Sequence, residues 1–179
     1  MQVLRLQSSV KERIPLLKDF YKKIFEITGA PASIIDHACG LNPLTLPWMN
    51  LPPAASYKAF DIDEEQIDFL SLAFVLLRLN NAFAEPGDIL IDEYDYADVV
   101  FMLKLLPCLE HQKKGCSIEI IKKQKCKYAV VSFPAGSLSG RKRGMADFYS
   151  ANFRQLTKDE KWDIKEIMFD NEVVFVIKK

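Results

Sequence analysis

Apolar residues along the chain follow two spacings, one typical of strands and one typical of helices. Continuous apolar runs predict buried strands at residues 32–37, 57–61, 82–85, 97–103 and 128–133, of which Ala97–Leu103 is the clearest. Stripes that repeat every three or four residues predict helices at residues 15–27 and 145–156. A third stripe, after Asp63, consists of Ile67, Leu70, Phe74 and Leu77. Two alternating runs, 162–169 and 172–177, are joined by Asp170-Asn171 and predict a hairpin.

Capping signals refine these boundaries. Ser9-x-x-Glu12 has the form of a capping box, but Pro15 would interrupt a helix begun there, so we predict a short turn before the first helix. Asp63-x-x-Gln66 is a second capping signal. Strands that alternate with helices and end in a hairpin predict an α/β fold with a doubly wound, mostly parallel sheet and an antiparallel edge. Without repeats or linkers, we expect one domain over residues 1–179, with residues 1–31 as a helical lead-in.

Composition narrows the class of protein. The 179 residues are 49% hydrophobic, and no apolar run is long enough to cross a bilayer, so we expect a soluble domain without membrane contact. The N-terminus lacks an apolar signal segment, which favours the cytoplasm. Basic and acidic residues balance at 24 each, so any nucleic-acid surface must be a local patch. The cysteines are unevenly spaced and predict free thiols and no metal site: Cys39, Cys108, Cys116 and Cys126.

Carboxylates at strand ends indicate a ligand site. Asp36 lies in the first strand, Asp61 ends the second and Asp88 follows the third. In a doubly wound sheet the ligand binds at these carboxyl ends, and an acid on the second strand typically meets a ribose. Phosphate binding fits poorly because Gly40 is the one glycine in the first turn. The pattern favours a nucleoside ligand without phosphates, commonly S-adenosylmethionine, although Asp36 and Asp61 could instead cap helices.

The turn after the first strand carries a family resemblance. Asp36-His37-Ala38-Cys39-Gly40 resembles the D-x-G-x-G motif of class I methyltransferases, with alanine for the first glycine. The continuation LNPL (41–44), together with KLLPCLE (104–110), SFP (132–134), SLSGR (137–141) and GM (144–145), resembles the Arm/Rmt and FmrO family of aminoglycoside-resistance 16S rRNA methyltransferases. The match runs from about Ser8 to Lys179. It implies a class I methyltransferase, Rossmann-like fold and methylation of guanine N7 in the decoding region of the small ribosomal subunit.

The resemblance assigns roles to individual residues. The positions that it implies for S-adenosylmethionine are Arg13, Asp36, Ala38, Gly40, Asp61, Asp88 and Ile89. Among them, Arg13 matches an arginine that holds the methionine carboxylate, for which a bidentate guanidinium suits better than lysine. Asp61 matches the ribose-binding acid, and Asp88 with Ile89 matches the pair that contacts adenine.

Further positions are implied for the RNA substrate. Lys104 and Glu110 match residues that flank the target pocket, and we treat them as catalytic candidates. Arg141 matches a basic residue on an RNA-facing loop, and with Lys142 and Arg143 it forms a cluster suited to phosphate contacts. Plainer interpretations remain open: Arg13 could form a surface ion pair, Glu110 could lie on a solvated helix face, and the three cations could be an ordinary charged loop.

The implied target atom constrains the chemistry. Guanine N7 has an in-plane lone pair and no proton, so alignment and electrostatics suffice without a general base, provided that the base is exposed or flipped. Residues 104–107 read KLLP rather than the Asp/Asn-Pro-Pro-aromatic turn of exocyclic-amine methyltransferases. Pro107-Cys108 resembles the nucleophile of cytosine-C5 enzymes, but its leucine neighbours would raise the thiol pKa.

The chain differs from the family pattern at three positions and at its N-terminus. The family has histidine where this chain has Gln7, threonine where it has Val10 and lysine where it has Gly136. Members also carry an N-terminal helical region that docks on the small subunit, and here Met1 lies just before the first shared motif. We expect a monomer that binds the cofactor and acts on 16S rRNA within the 30S subunit. The alternatives are a cofactor-binding homologue without activity and a methyltransferase for another rRNA position.

Overall fold

One seven-stranded sheet contains all the strands that the structure describes. The computed structural model describes residue 4, residues 7–135 and residues 145–179. The strands are β1 (Ser33–His37), β2 (Ser56–Asp61), β3 (Ala82–Pro86), β4 (Ala97–Leu103), β5 (Cys126–Pro134), β6 (Asp163–Met168) and β7 (Glu172–Lys178). The α-helices are α1 (Ser8–Arg13), α2 (Leu17–Thr28), α3 (Leu46–Met49), α4 (Glu64–Leu76), α5 (Leu106–Gln112), α6 (Cys116–Lys123) and α7 (Met145–Thr157).

The strand order places a crevice in the middle of the sheet. The order is β3-β2-β1-β4-β5-β7-β6, in which β1 to β5 are parallel. Strand β7 is antiparallel to both β5 and β6. The chain therefore winds one way from β1 to β3 and the other way from β4 onward, and the carboxyl ends of β1 and β4 face the switch point where ligands bind in such sheets. The predicted fold class is confirmed.

Apolar side chains cover both faces of the sheet. On one face, Phe20 and Ile24 from α2 and Leu70 from α4 pack against the central strands. On the other, Leu106 from α5 and Phe153 from α7 belong to a second cluster. Burial from both sides explains why β4 and β5 are continuous apolar runs rather than alternating ones.

Two local predictions are wrong. The turn expected around Ser9 is helix α1, and Pro15 does not interrupt it because Pro15 lies beyond its end, in a 3-10 turn (Ile14–Leu16) where a missing N–H costs nothing. Leu77 is not part of the buried stripe of α4: it follows the last helical residue and is 52% exposed. The capping signal at Asp63 is confirmed, since its carboxylate accepts a hydrogen bond from the Gln66 N–H at 3.0 Å. Within the described ranges, no helix has the length and apolar character needed to span a bilayer.

Candidate functional site

The turn after β1 approaches β2 through its backbone. Ala38 and Gly40 both have left-handed backbone conformations, with φ of 47° and 53°. Glycine adopts this conformation without strain, whereas alanine does so at a cost. The Gly40 N–H donates to Asp61 Oδ2 at 2.9 Å, and the Cys39 N–H donates to the Phe60 carbonyl at 3.1 Å. The partly exposed Asp61 carboxylate thus holds the turn in place and does not cap a helix.

The end of the flexible Gln7 side chain lies beside Gly40, so the need for glycine at this position rests on its left-handed backbone. A Cβ atom built on Gly40 would lie 2.0 Å from Nε2 of Gln7. The Gln7 carboxamide in turn accepts a hydrogen bond from the Leu41 N–H at 2.5 Å. The Gln7 carboxamide therefore fills the space beside the Gly40 backbone.

Asp36 is buried beneath this turn. It is 1% exposed, and its Oδ2 accepts hydrogen bonds from the Tyr57 hydroxyl at 2.5 Å and from Asn42 Nδ2 at 2.8 Å. Burial raises the pKa of Asp36 to about 7, although both hydrogen bonds and the nearby Arg13 oppose the rise. Asp36 is therefore hydrogen-bonded to Asn42 in the segment that follows the turn. The same Asn42 side chain also accepts a hydrogen bond from Arg13.

The raised pKa of Asp36 predicts a pH dependence of stability. The folded protein keeps this proton up to about pH 7, whereas the unfolded chain releases it near 3.8. The contribution of Asp36 is therefore fully present below 3.8 and is lost as the pH rises to 7, by up to about 1.4 kcal/mol per pH unit. His37 has the opposite effect on stability. Burial lowers its pKa from 6.5 to about 4 despite a hydrogen bond with Gln124, so its contribution increases as the pH rises.

The measurement must separate the two groups. We expect the difference in unfolding free energy between the native chain and Asp36→Asn to fall steadily from pH 4 to 7, since His37 contributes equally to both proteins. Urea denaturation across this range measures the difference, and a difference that does not change with pH would contradict a neutral buried Asp36.

Arg13 is part of a buried ion pair. Its guanidinium is 2% exposed and donates to Glu172 from Nε at 3.1 Å and from Nη2 at 2.8 Å. Its Nη1 donates to Asn42 Oδ1 at 2.8 Å. Burial is the largest single effect and would lower the pKa of Arg13, but the charge and hydrogen bonds of Glu172, together with Tyr21 and Asp36, outweigh it and raise the pKa. Three of the five N–H donors are used by protein groups, so a cofactor carboxylate could meet only the remaining two.

Lys104 connects the end of β4 to the same cluster. Its backbone is left-handed, with φ of 57°, and its N–H donates to the carbonyl and the hydroxyl of Ser132 on β5. The Nζ atom donates to Glu12 Oε2 at 2.7 Å and lies 4.0 Å from Glu172 Oε2. Lys104 is thus paired with a carboxylate of the N-terminal helix, and its catalytic role stays a prediction. Its ammonium lies at the carboxyl edge of the sheet, 13% exposed.

Glu110 has a structural role in the described contacts. Its carboxylate accepts hydrogen bonds from the backbone N–H groups of Gly115 at 2.7 Å and Ser117 at 2.9 Å, and from the Ser117 hydroxyl at 2.5 Å. Partial burial would raise its pKa, but these hydrogen bonds together lower it. The side chain thus satisfies free donors at the start of α6. This contact is neither of the two roles considered from the sequence, and a catalytic role for Glu110 stays a prediction.

Asp88 and Ile89 lie beside the end of β3. The Gly87 N–H donates to the Asp61 carbonyl at 3.0 Å, which joins this turn to β2. Asp88 is partly exposed and its Oδ1 accepts a hydrogen bond from the Leu90 N–H at 2.8 Å, while Ile89 is buried. Both residues are therefore brought to the same edge as Asp61. Arg141, Lys142 and Arg143 lie outside the described residues.

The thiols and the buried histidine are poorly placed for covalent catalysis. Burial raises the pKa of Cys39 well above its ordinary range. Cys108 is exposed, and its Sγ faces the Lys104 carbonyl at 3.8 Å, an acceptor that does not stabilise a thiolate. His37, the last residue of β1, has its Nε2 2.9 Å from Gln124 Oε1, so this ring nitrogen is paired with a protein group. All four cysteines are free, as predicted.

The sequence analysis did not identify Glu172 as a site residue, and it did not predict the contacts of Asn42. Glu172 accepts hydrogen bonds from Arg13 and from the Ser132 hydroxyl, and it is 0% exposed. The signal that could have revealed it is a lone acid opening an otherwise apolar strand, EVVFVIK. Asn42 bridges Asp36 and Arg13, and Pro43 occupies the start of a 3-10 turn (Asn42–Thr45), which gives the LNPL segment a structural role.

Sheet order and site together define the class of protein. A doubly wound seven-stranded sheet with an antiparallel β7, a left-handed glycine after β1 and an acid at the end of β2 is the arrangement of a class I methyltransferase fold.

The chain belongs to the FmrO family of ribosomal RNA methyltransferases, whose sequence model matches residues 1–176. The family prediction is confirmed. The curated 16S rRNA (guanine(1405)-N(7))-methyltransferase of Frankia casuarinae is 36% identical over 180 residues, covering 99% of this chain and 63% of that protein. The protein of the same name from Micromonospora echinospora is 37% identical over 179 residues, covering 99% of this chain and 65% of that one. The chain therefore spans slightly less than two thirds of these relatives.

Solved structures of 16S rRNA methyltransferases have a similar fold. The 16S rRNA methylase ArmA matches with a TM-score of 0.79 and 31% identity, over 98% of this chain and 88% of that one. The 16S rRNA methyltransferase RmtF, in complex with S-adenosyl-L-homocysteine, matches with a TM-score of 0.85 and 26% identity, over 98% of this chain and 66% of that one.

Proposed function

We propose that this chain is the cofactor-binding and catalytic part of an S-adenosylmethionine-dependent methyltransferase that modifies N7 of guanine 1405 in 16S rRNA. The base and its number are those in the names of the Frankia and Micromonospora relatives. The observation that carries the proposal is the contact between Asp61 and the Gly40 N–H at the switch point of the sheet, in a chain of this family.

The residues at this edge fit a nucleoside cofactor. Asp61 uses one lone pair of Oδ2 for Gly40 and one of Oδ1 for the Asp63 N–H, so the carboxylate can still accept two hydroxyl groups of a ribose. Ile62 follows Asp61 in sequence, is 73% exposed, and offers an apolar surface for a base. Gly40 has no side chain, so the cofactor can approach its backbone closely once the flexible Gln7 side chain moves aside. When bound, S-adenosylmethionine supplies an electrophilic methyl group.

The protein groups at the edge suit a reaction without a general base. Guanine N7 attacks with its own lone pair, so the site must hold the base in line and favour the charge distribution of the transition state. Lys104, fixed by Glu12, provides a positive group at the carboxyl edge beside β4. Arg13 donates two hydrogen bonds to Glu172 and so holds the N-terminal helix against β7 at that edge. The buried His37 and Cys39 are not needed in this scheme.

The substrate would be 16S rRNA within the 30S subunit. Phosphate contacts through Arg141, Lys142 and Arg143 belong to the proposal and rest on the family resemblance. Methylation there would confer aminoglycoside resistance and would take place in the cytoplasm, where ribosomes are found.

A direct assay tests the activity. Purified 30S subunits are incubated with the 179-residue chain and radiolabelled S-adenosylmethionine, and the modified base is mapped by borohydride and aniline cleavage followed by primer extension. We expect label in 16S rRNA and a single new stop at guanine 1405. The Asp61→Ala variant is the control and should give far less label at the same cofactor concentration.

The other outcomes separate the alternatives. Calorimetric binding of S-adenosylmethionine without methylation, even after the N-terminal region of a relative is joined to the chain, would support a cofactor-binding homologue without activity and overturn the proposed activity. A stop at a different nucleotide would keep the methyltransferase assignment and overturn the position.

A further inference from the structure

The side chain of Gln7 lies against the turn after β1, where the cofactor is proposed to bind. Its Oε1 accepts a hydrogen bond from the Leu41 N–H at 2.5 Å. Its Nε2 lies 2.0 Å from the position that a Cβ atom on Gly40 would take. The space that the missing side chain of Gly40 leaves for a ligand is thus filled by the Gln7 carboxamide. A ligand in contact with the Gly40 backbone and the carboxamide in this position therefore exclude each other.

The Leu41 N–H is a donor that the turn itself does not use. The N–H groups of Cys39 and Asn42 donate to main-chain carbonyls, and the N–H of Gly40 donates to a carboxylate of β2. Among the described residues, Gln7 is the one partner of the Leu41 N–H. A backbone donor that loses its acceptor costs free energy unless another acceptor takes its place. An oxygen of a bound ligand can therefore replace the Gln7 oxygen on this donor.

The main chain on both sides of Gln7 is anchored, so the side chain is the part that can move. Leu4 (3% exposed) and Val10 (1% exposed) pack with Leu41 in a small apolar cluster of their own. The Gln7 carbonyl accepts a hydrogen bond from the Lys11 N–H at 2.9 Å, at the start of α1. The Gln7 side chain is partly exposed, and it can turn toward solvent about its own single bonds without unfolding α1.

The Gln7 carboxamide is not needed to hold α1 in place. Gln7 is the N-cap residue of α1, but its side chain makes no capping hydrogen bond. The other end of the helix is fixed by the ion pairs of Glu12 and Arg13. The contact of the carboxamide therefore acts on the turn after β1 rather than on the helix, and its removal should leave the fold intact.

We propose that Gln7 is an internal competitor of S-adenosylmethionine at the turn after β1, a role that rests on the proposed function. In the closed form of the free chain, the carboxamide holds the Leu41 N–H. In the open form the side chain has turned away, and a cofactor oxygen can accept from the same donor.

The competition lowers the affinity for both forms of the cofactor. The apparent affinity of a ligand falls with the fraction of the protein that is open. Net, one hydrogen bond favours the closed form, which corresponds to a reduction in affinity of about two- to tenfold. S-adenosylhomocysteine meets the same competitor, so Gln7 also weakens the retention of the product.

Titration calorimetry on the 179-residue chain tests the competition. Gln7→Ala removes the carboxamide and leaves the turn itself unchanged. We expect this variant to bind S-adenosylmethionine and S-adenosylhomocysteine about fivefold more tightly than the native chain. The matched control is Lys11→Ala, which shortens an exposed side chain of the same helix and should bind both compounds like the native chain. Circular dichroism should show the same fold in all three proteins.

Hydrogen exchange of the Leu41 amide examines the closed form without any ligand. We expect this amide to exchange several-fold faster in ligand-free Gln7→Ala than in the ligand-free native chain, because it has lost its acceptor. With saturating S-adenosylhomocysteine, the amide should be protected equally in both proteins, because the ligand then supplies the acceptor.

The possible results separate the role of Gln7 from the proposed function. If the native chain binds the cofactor and Gln7→Ala binds it equally or more weakly, the competition is overturned and the proposed function stands. Equal exchange of the Leu41 amide in the two ligand-free proteins would also overturn the competition, because the carboxamide would then not hold this donor. If neither protein binds the cofactor at millimolar concentration, the proposed function fails, and the role of Gln7 fails with it.

Discussion

Replacing Glu172 with alanine is expected to lower the free energy of unfolding by about 3–5 kcal/mol, because it leaves a buried charge without its counter-ion. Arg13 is 2% exposed and donates two hydrogen bonds to this carboxylate, which also accepts one from the Ser132 hydroxyl. The variant removes all three contacts and leaves the guanidinium in a buried position without a counter-ion. Urea titration monitored by circular dichroism measures the loss.

Two comparisons show whether the loss comes from the unpaired charge. In the double variant Arg13→Leu, Glu172→Leu both charges are absent, so we expect much of the stability to return. Glu26→Ala breaks the exposed pair with Lys22 and should change the stability by less than about 0.5 kcal/mol. If Glu172→Ala unfolds at the native urea concentration, the ion pair does not hold the fold together.

The cluster around Glu172 connects distant parts of the chain. Arg13 and Glu172 are 159 positions apart in sequence, and Asn42 joins the same guanidinium to Asp36 on β1. Lys104 adds the end of β4 through Glu12. The N-terminal helix, the first turn of the sheet and the antiparallel β7 are thus fixed to one another at the edge where the cofactor is proposed to bind.

Periodicity predicted the sheet well for a physical reason. The run ADVVFML is buried on both faces, and burial on both faces requires the continuous apolar sequence from which the strand was predicted. The acids Asp36 and Asp61 were located correctly because the end of a parallel strand fixes the edge at which its last residues lie. The burial of a strand and the position of its last residue both depend on a short segment, so they can be predicted from the local sequence.

Partners across the fold could not be predicted in this way. Nothing in the local sequence of Arg13 or Glu110 reveals that one pairs with Glu172 and the other satisfies the start of α6. The position of Gln7 against Gly40 likewise depends on how the N-terminal helix docks. Such contacts arise from packing over long sequence separations, for which a single sequence carries no periodic signal. The family resemblance supplied roles for these residues but no geometry.

Asp61→Ala should weaken the binding of S-adenosylmethionine by about a hundredfold, the second large effect that we expect. One part of the loss is the proposed pair of hydrogen bonds from the ribose to an ionised carboxylate, and hydrogen bonds to charged groups contribute about 1.5–3 kcal/mol. The other part is the tether to the Gly40 N–H, which holds the turn of β1 in its left-handed conformation. Titration calorimetry with S-adenosylmethionine measures the affinity.

Asp63→Ala is the matched control, because it removes an acid from the same loop, two residues away. Its carboxylate accepts the Gln66 N–H and caps α4, so the variant should lose about 1 kcal/mol of stability while it keeps the native affinity for the cofactor. The pair of variants thus distinguishes a ligand-binding acid from a capping acid, the two roles that the sequence left open for Asp61. Equal affinities in Asp61→Ala and the native chain would mean that the ribose is held elsewhere and that Asp61 serves only to shape the turn.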